Sequence, residues 1–202
     1  MAASDNNPQT DPARPGVRCM PAAALSERVD EEIARADRHG TALSCLLVVI
    51  ENLDQLAREH GGELREQTLA YIAGALPREL RRFDRIGKPS DRELMIVLPG
   101  ADGPRGEIVA RRVLDRVRTI KVEIDGARQP LRVSVGLAVW REQGDAGELL
   151  GRLRTAATRS GSSEDAAAAA DEPRAPTPEA LDYLASTPPP PRRPTPRPDA
   201  PS

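Results

Sequence analysis

The most constraining feature of this sequence is an uninterrupted run of eight largely apolar residues, LSCLLVVI, at positions 43–50. The run is short, rich in β-branched residues and contains no charged residue. A strand with one face in water would alternate apolar and polar residues, whereas a central strand covered on both faces does not. The run therefore predicts a sheet with helices packed against both of its sides.

Segments with helical periodicity and further extended segments surround this strand. A first amphipathic helix is predicted over residues 25–38, where Leu25, Val29 and Ile33 fall on one face. The same periodicity predicts four more helices, at 52–58, 63–82, 105–119 and 146–159. Further strands, separated by turn residues, are predicted at 85–88, 93–98, 121–124 and 131–140. This order predicts an α/β or α+β fold with a central five-stranded mixed sheet flanked by helices.

The proline distribution divides the chain into one domain and two tails. Of 20 prolines, four lie before Ala22 and eleven lie after Gly161. We expect residues 1–20 to form a disordered N-terminal segment, residues 21–160 the folded domain, and residues 161–202 a disordered Ala/Pro-rich tail. The proline-rich run at 187–198 favours a polyproline II conformation, which suits docking to an aromatic groove and equally suits a plain spacer.

Composition excludes several classes of partner. The 29 basic and 31 acidic residues are interspersed and sum to −2, so the chain has no basic footprint for nucleic acid or for an acidic membrane. No apolar run approaches the roughly 20 residues of a transmembrane helix, and the N-terminus lacks the apolar segment of a secretory signal. We therefore expect a cytoplasmic protein with no nucleic-acid or membrane partner.

A few residue types with potential chemistry are assigned to packing or capping instead. Cys45 lies inside the apolar strand, where a buried thiol is the favoured interpretation over a disulfide or a metal ligand. His39 and His60 each precede a glycine at a predicted helix end, where capping or solvation is favoured over metal binding. The aromatic residues Tyr71, Phe83 and Trp140 are predicted to pack in the core.

The order of elements, together with four sequence words, resembles the GGDEF domain of bacterial diguanylate cyclases. These words are RHGTALSCLLVVIE, RRFD, ELMIVLPG and RVSVGLAVW. The resemblance covers about residues 21–159, and it implies a GGDEF/nucleotidyl-cyclase-like sheet. It also implies that the five-residue family signature corresponds here to Ser90, Asp91, Arg92, Glu93 and Leu94.

The resemblance further implies that this signature is degenerate. Family members join two GTP molecules with the help of metal-bound carboxylates, which neutralise the triphosphate. Arg92 stands at the position of one acidic metal ligand, and Val49 stands at the position of the other. The guanine-contacting positions correspond to Ala57 and Glu66. We therefore expect no catalytic residues, no metal site, no cofactor and no enzymatic activity.

One functional element of the family is retained in register. An R-x-x-D element placed five residues before the signature forms an inhibitory site for cyclic di-GMP in the family, and here it corresponds to Arg81 and Asp84. Arg112 corresponds to a further arginine of that site on the following helix. Guanidinium groups can bind phosphate or guanine acceptors, and a carboxylate can accept from guanine N1 and N2 hydrogens. An Arg-x-x-Asp at a helix end can also be only a surface ion pair.

Three functions remain open at this point. The first is an inactive GGDEF-like domain that binds cyclic di-GMP at Arg81, Asp84 and Arg112 as a sensor in bacterial signalling. The second is a ligand-free scaffold that recruits a protein partner through its proline-rich tail. The third is a residual diguanylate cyclase in which Glu51 or Glu93 has a displaced role. The sequence does not determine the oligomeric state, the partner or the biological output.

Overall fold

The computed structural model describes residues 19–124, 126–140, 145–161 and 167–169. The helices of this part are α1 (Ala22–His39), α2 (Leu53–His60), α3 (Glu63–Ala75), α4 (Gly103–Arg118) and α5 (Ala146–Gly161). A short 3₁₀ turn follows α3 at Leu76–Arg78. The strands are β1 (Leu43–Ile50), β2 (Arg85–Ser90), β3 (Glu93–Pro99), β4 (Lys121–Ile124), β5 (Ala127–Pro130), β6 (Val133–Val139) and β7 (Ala167–Ala169).

The central sheet has five strands in the order β2-β3-β1-β6-β7. Neighbouring strands are antiparallel except β6 and β7, which run parallel, so the sheet is mixed as predicted. All eight residues of β1 are buried. Alternate residues of β1 enter two separate cores: Leu46 and Val48 pack in one, and Cys45 and Leu47 pack in the other. This two-sided burial explains why the sequence of β1 shows no alternation.

The first core includes side chains of α2, α3 and α4, and the second includes side chains of α1 and α5. Gly136 of β6 allows α5 to approach the sheet closely. A Cβ atom at this position would lie 2.2 Å from the carbonyl oxygen of Leu153 and 2.6 Å from the amide nitrogen of Ala157. Any larger residue would push α5 away from the sheet, so this glycine fixes the height of Arg154 above β3.

The structure corrects two of the predicted elements. Helix α3 ends at Ala75 instead of near residue 82, because Pro77 lacks an amide hydrogen and its ring interferes with the preceding helical turn. Residues 121–124 do not join the central sheet. They form a separate two-stranded hairpin with β5, a strand that was not predicted.

Two short segments extend the domain beyond the predicted core. Met20 forms a bridge to β2, with its amide donating to the Ile86 carbonyl at 2.9 Å and its carbonyl accepting from Lys88 at 2.8 Å. Ala167–Ala169 adds the strand β7 to the sheet edge, within the range assigned to the C-terminal tail. The proline-rich run at 187–198 lies outside the described residues. None of the described helices is long and apolar enough to cross a membrane.

Candidate functional site

The signature residues form the hairpin between β2 and β3. Asp91 and Arg92 occupy the turn, and Ser90 pairs with Glu93 across it. The Glu93 side chain is almost fully buried, and it accepts a hydrogen bond at Oε2 from the Ser90 hydroxyl at 2.8 Å. The hairpin thus directs its acidic residue into the protein, whereas the side chain of Arg92 remains about half exposed.

Arg154 of α5 neutralises the buried Glu93 carboxylate. Its Nε donates to Glu93 Oε1 at 3.0 Å and its Nη2 donates to Oε2 at 2.8 Å, which is a two-pronged guanidinium–carboxylate pair. Burial by itself would raise the pKa of Glu93, but the hydrogen bonds from Arg154 and Ser90 outweigh it and leave the pKa below its ordinary value. Arg154 was not predicted as a site residue, because nothing in the sequence links positions separated by 61 residues.

Arg92 lies beside an acidic side chain of α2. Its Nη1 is 3.5 Å from Oδ2 of Asp54, whose other oxygen accepts a hydrogen bond from Nε of Arg65 at 3.0 Å. Asp54 therefore bridges two guanidinium groups. The Asp54 carboxylate balances the positive charge of the Arg92 guanidinium at the turn. This positive charge lies where the family resemblance assigns an acidic metal ligand.

Val49, at the second metal-ligand position of the family, is buried near the end of β1 opposite Glu93 of β3 and Ser134 of β6. The neighbouring Glu51 accepts a hydrogen bond from the Ser134 hydroxyl at 2.5 Å. A divalent cation at this place would meet an apolar side chain, a guanidinium and a carboxylate already bonded to Arg154. These donors do not fit Mg²⁺, which requires several oxygen ligands.

The two guanine-contacting positions of the family also differ in kind. Ala57 is buried and has no polar side chain, and Glu66 lies 3.5 Å from the ammonium of Lys88. Among the described residues, no group of three or more His, Cys, Asp or Glu side chains could hold a metal ion.

Arg81 and Asp84 close a tight turn immediately before β2. The Arg81 amide donates to Oδ2 of Asp84 at 2.6 Å, and the Asp84 amide donates to the Arg81 carbonyl at 3.1 Å. Asp84 is buried while the side chains of Arg81, Arg82 and Phe83 are exposed. The buried carboxylate fixes the turn and leaves these three side chains in solvent.

The predicted third member of the site lies close to this turn. Arg112 of α4 pairs with Glu79, with both Nε and Nη2 at 3.2 Å from Oε2. Burial raises the pKa of Asp84, while the Arg81 amide and the positive charges of Arg81, Arg85 and Arg112 act in the opposite direction. The fold thus brings the three predicted residues together, with arginines grouped around one carboxylate.

A polar cleft of about 280 Å³ lies elsewhere, between α2 and the β4–β5 hairpin. The side chain of Asn52 joins its two walls, donating to the Pro130 carbonyl at 3.1 Å and accepting from the Arg132 amide at 2.9 Å. Other residues of its lining are Gln55, Leu56, Glu59, His60 and Gln129. None of the predicted site residues lines this cleft.

The packing predictions for single residues have mixed outcomes. Cys45 is fully buried, which raises the pKa of its thiol to about 12, and Trp140 is buried with its indole N–H donating to Asp37 at 2.7 Å. Both predictions are confirmed. The prediction for the other two aromatics is wrong, because Phe83 is 68% exposed and Tyr71 is 51% exposed.

The mixed sheet with helices on both faces, together with the hairpin that presents residues 90–94, defines an α+β domain of the nucleotide-cyclase type. Residues 22–165 match the family model described as diguanylate cyclase, GGDEF domain. The chain belongs to the GGDEF family, which confirms the resemblance and the predicted fold class.

A curated relative and two solved structures agree with this assignment. The chain is 28% identical over 126 residues to the diguanylate cyclase DgcP of Pseudomonas aeruginosa, a match that covers 62% of this chain and 19% of DgcP. This chain therefore spans about one fifth of the length of that relative. The diguanylate cyclase SiaD of P. aeruginosa, solved in complex with its activator SiaC, is 26% identical with a TM-score of 0.68, covering 79% of this chain and 62% of SiaD.

The GGDEF domain of DgcB from Caulobacter crescentus, solved in complex with cyclic di-GMP, has a TM-score of 0.69 to this chain. The match covers 76% of this chain and 92% of that DgcB domain at 15% identity. At this identity the likeness shows the fold alone. The family model and the curated relative together relate this chain to diguanylate cyclases.

Proposed function

We propose that this GGDEF domain binds cyclic di-GMP in the cytoplasm and does not synthesise it. The observation that carries the proposal is the contrast between two places on one domain. The metal-ligand positions hold Val49 and Arg92, whereas the R-x-x-D turn and Arg112 keep both the residue types and the proximity that a dinucleotide site requires.

Loss of synthesis follows from charge at the hairpin. Cyclisation needs a divalent cation next to the triphosphate, and a guanidinium in place of a ligand repels that cation. Glu93 offers no substitute, because Arg154 and Ser90 occupy both of its oxygens. Glu51 is engaged by Ser134 and has no second carboxylate beside it at Val49.

Binding is supported by the donors at the arginine turn. Arg81 is exposed and its guanidinium offers five N–H groups in a planar fork, which match phosphate oxygens or the acceptor edge of guanine. Arg112 uses Nε and Nη2 toward Glu79, so its Nη1 edge is available to a ligand. Asp84 has one oxygen committed to the Arg81 amide, and because its side chain is buried, its second oxygen accepts from guanine N–H groups only if the base lies directly against the turn.

Product analysis tests the first half of the proposal. Purified protein is incubated with GTP and Mg²⁺, and the nucleotides are separated by chromatography, with an active GGDEF protein as the positive control. We expect no cyclic di-GMP above background. Turnover that is lost in Glu93→Gln or Glu51→Gln would contradict the proposal and support a residual cyclase instead.

The scaffold alternative predicts a different result. A chain that acts only through its tail should bind its partner equally well with or without the dinucleotide, and truncation after residue 171, which keeps β7 and removes the proline-rich run, should abolish that binding. A binding domain should retain its affinity for cyclic di-GMP in the same truncated chain. Calorimetric titration of both chain lengths therefore separates the two functions.

A further inference from the structure

Phe83 is an exposed aromatic residue within the turn between Arg81 and Asp84, which belongs to the proposed binding surface. It is the only phenylalanine in the sequence, and 68% of its surface is exposed. Side chains of this kind are normally buried, because burial removes their apolar surface from water. Leaving this ring in solvent is therefore a cost that packing within the domain does not recover.

The backbone conformation at Phe83 is held by hydrogen bonds between the residues on either side of it. The turn between Arg81 and Asp84 is closed by two hydrogen bonds, one from each backbone amide of these residues. Phe83 is the third residue of this turn, immediately before the buried Asp84. A turn held at both ends presents its side chains with little loss of freedom on binding, which favours recognition of a ligand.

We propose that the Phe83 ring stacks on a purine base of the bound dinucleotide, while Arg81 and Arg112 bind its phosphates. The inference rests on the proposed function and adds a residue to its site. A cyclic purine dinucleotide combines two anionic phosphates with two flat bases, and an exposed ring next to guanidinium groups offers both kinds of contact. Stacking on an aromatic side chain is a common way of binding an unpaired base.

Substitutions of the ring measure its contribution to affinity. Removing a stacking ring typically weakens binding by about 5- to 150-fold, so Phe83→Ala should raise the Kd for cyclic di-GMP by at least about fivefold. Phe83→Tyr keeps the ring and should bind like the wild type. Tyr71→Ala removes a similarly exposed ring from α3 and should leave the Kd unchanged, which controls for the loss of any surface aromatic.

Because Phe83 is the only phenylalanine, its ring can be observed directly by NMR spectroscopy. Protein labelled with ¹³C only at the ζ carbon of phenylalanine gives one ring signal in NMR spectra, without any assignment step. We expect cyclic di-GMP to shift this signal upfield by the ring current of the stacked base, in the full-length protein.

The outcomes distinguish the inference from the proposed function. If the wild type binds cyclic di-GMP, but its ring signal does not move and Phe83→Ala binds equally well, the stacking inference is wrong and the binding function stands. If the wild type shows no saturable binding at all, both are wrong. A thermal unfolding midpoint of Phe83→Ala equal to that of the wild type excludes misfolding as the cause of weaker binding.

Discussion

Arg154 of α5 and Glu93 of β3 form a two-pronged ion pair across 61 residues of sequence, with hydrogen bonds of 3.0 and 2.8 Å. The Glu93 side chain is 6% exposed and the Arg154 side chain is 50% exposed, so the pair connects a buried carboxylate to the surface. Gly136 makes this possible by letting α5 lie directly on β6. The pair holds the signature hairpin against α5, and it engages both carboxylate oxygens of Glu93.

Removing the guanidinium should destabilise the domain. Arg154→Ala leaves Glu93 buried with only Ser90 as a donor, and an incompletely satisfied buried group costs about 1–3 kcal/mol. Urea unfolding at neutral pH should show this loss. Arg128→Ala removes an exposed arginine from the β4–β5 hairpin and serves as the control. Equal stability of the two variants would show that the ion pair contributes nothing.

The same pair predicts a specific pH dependence. The folded-state pKa of Glu93 is lowered from its ordinary value of 4.5, so its ionised form stabilises the fold above about that pH. This stabilisation is lost as the pH falls through the folded pKa. The difference in unfolding free energy between the wild type and Glu93→Gln should therefore be largest at neutral pH and shrink as the pH falls below 4.5. A difference that stays constant over this range would contradict the prediction.

The pH dependence of stability that arises from Asp84 should have the opposite sign to that of Glu93. Burial raises its folded-state pKa above 3.8, so its ionised form carries a penalty that is relieved as the pH falls through the folded value. Asp84→Asn keeps an oxygen for the Arg81 amide, and it should be at least as stable as the wild type at neutral pH, with the advantage fading in acid. Asp84→Ala loses the acceptor and should cost about 1 kcal/mol. Chemical denaturation of the three proteins between neutral and acidic pH measures both effects, and equal losses in the two variants would exclude this role.

The central sheet was predictable because a strand that is buried on both faces has a continuous run of apolar residues, which is visible in the sequence. All eight residues of β1 are apolar or small, and the strand lies where the sequence places it. Strand β4 was predicted at residues 121–124, but its partner β5 was not predictable, since β5 is mostly exposed and reads ARQP, with no apolar pattern. The predicted length of α3 was wrong because the periodicity of its apolar residues continues past Pro77, although the backbone cannot continue the helix there.

The candidate site was assigned through the family resemblance, which places Arg81, Asp84 and Arg112 in it. Arg154 depends on the packing of α5 onto β6 and has no sequence motif. The exposure of Phe83 was likewise hidden, because apolar character predicts burial for most phenylalanines and the exceptions depend on tertiary structure.

Placing acidic residues at the two metal-ligand positions of the family, Val49 and Arg92, should create affinity for a divalent metal ion. The double variant Val49→Asp/Arg92→Asp places two new carboxylates near Glu93 and should be less stable than the wild type without metal, because Val49 is buried. Millimolar Mg²⁺ should raise its thermal unfolding midpoint through preferential binding to the folded state, and it should leave the wild type unchanged.

The single variant Arg92→Asp is a second test of the same idea, since the Arg92 side chain is 53% exposed and its replacement is not expected to prevent folding. It should show a smaller Mg²⁺ response than the double variant. A wild-type domain that is stabilised by Mg²⁺ to the same degree as the double variant would contradict the account of the metal positions.

The central claim is tested most directly by calorimetric titration of the full-length protein with cyclic di-GMP. The account predicts saturable binding with a Kd below about 100 μM, which corresponds to a binding free energy beyond about −5.5 kcal/mol. Arg81→Ala should weaken this binding at least about tenfold, because hydrogen bonds from a charged donor contribute about 1.5–3 kcal/mol. The adjacent exposed Arg82→Ala should change it far less. No saturable binding, or equal binding by the wild type and Arg81→Ala, would contradict the claim.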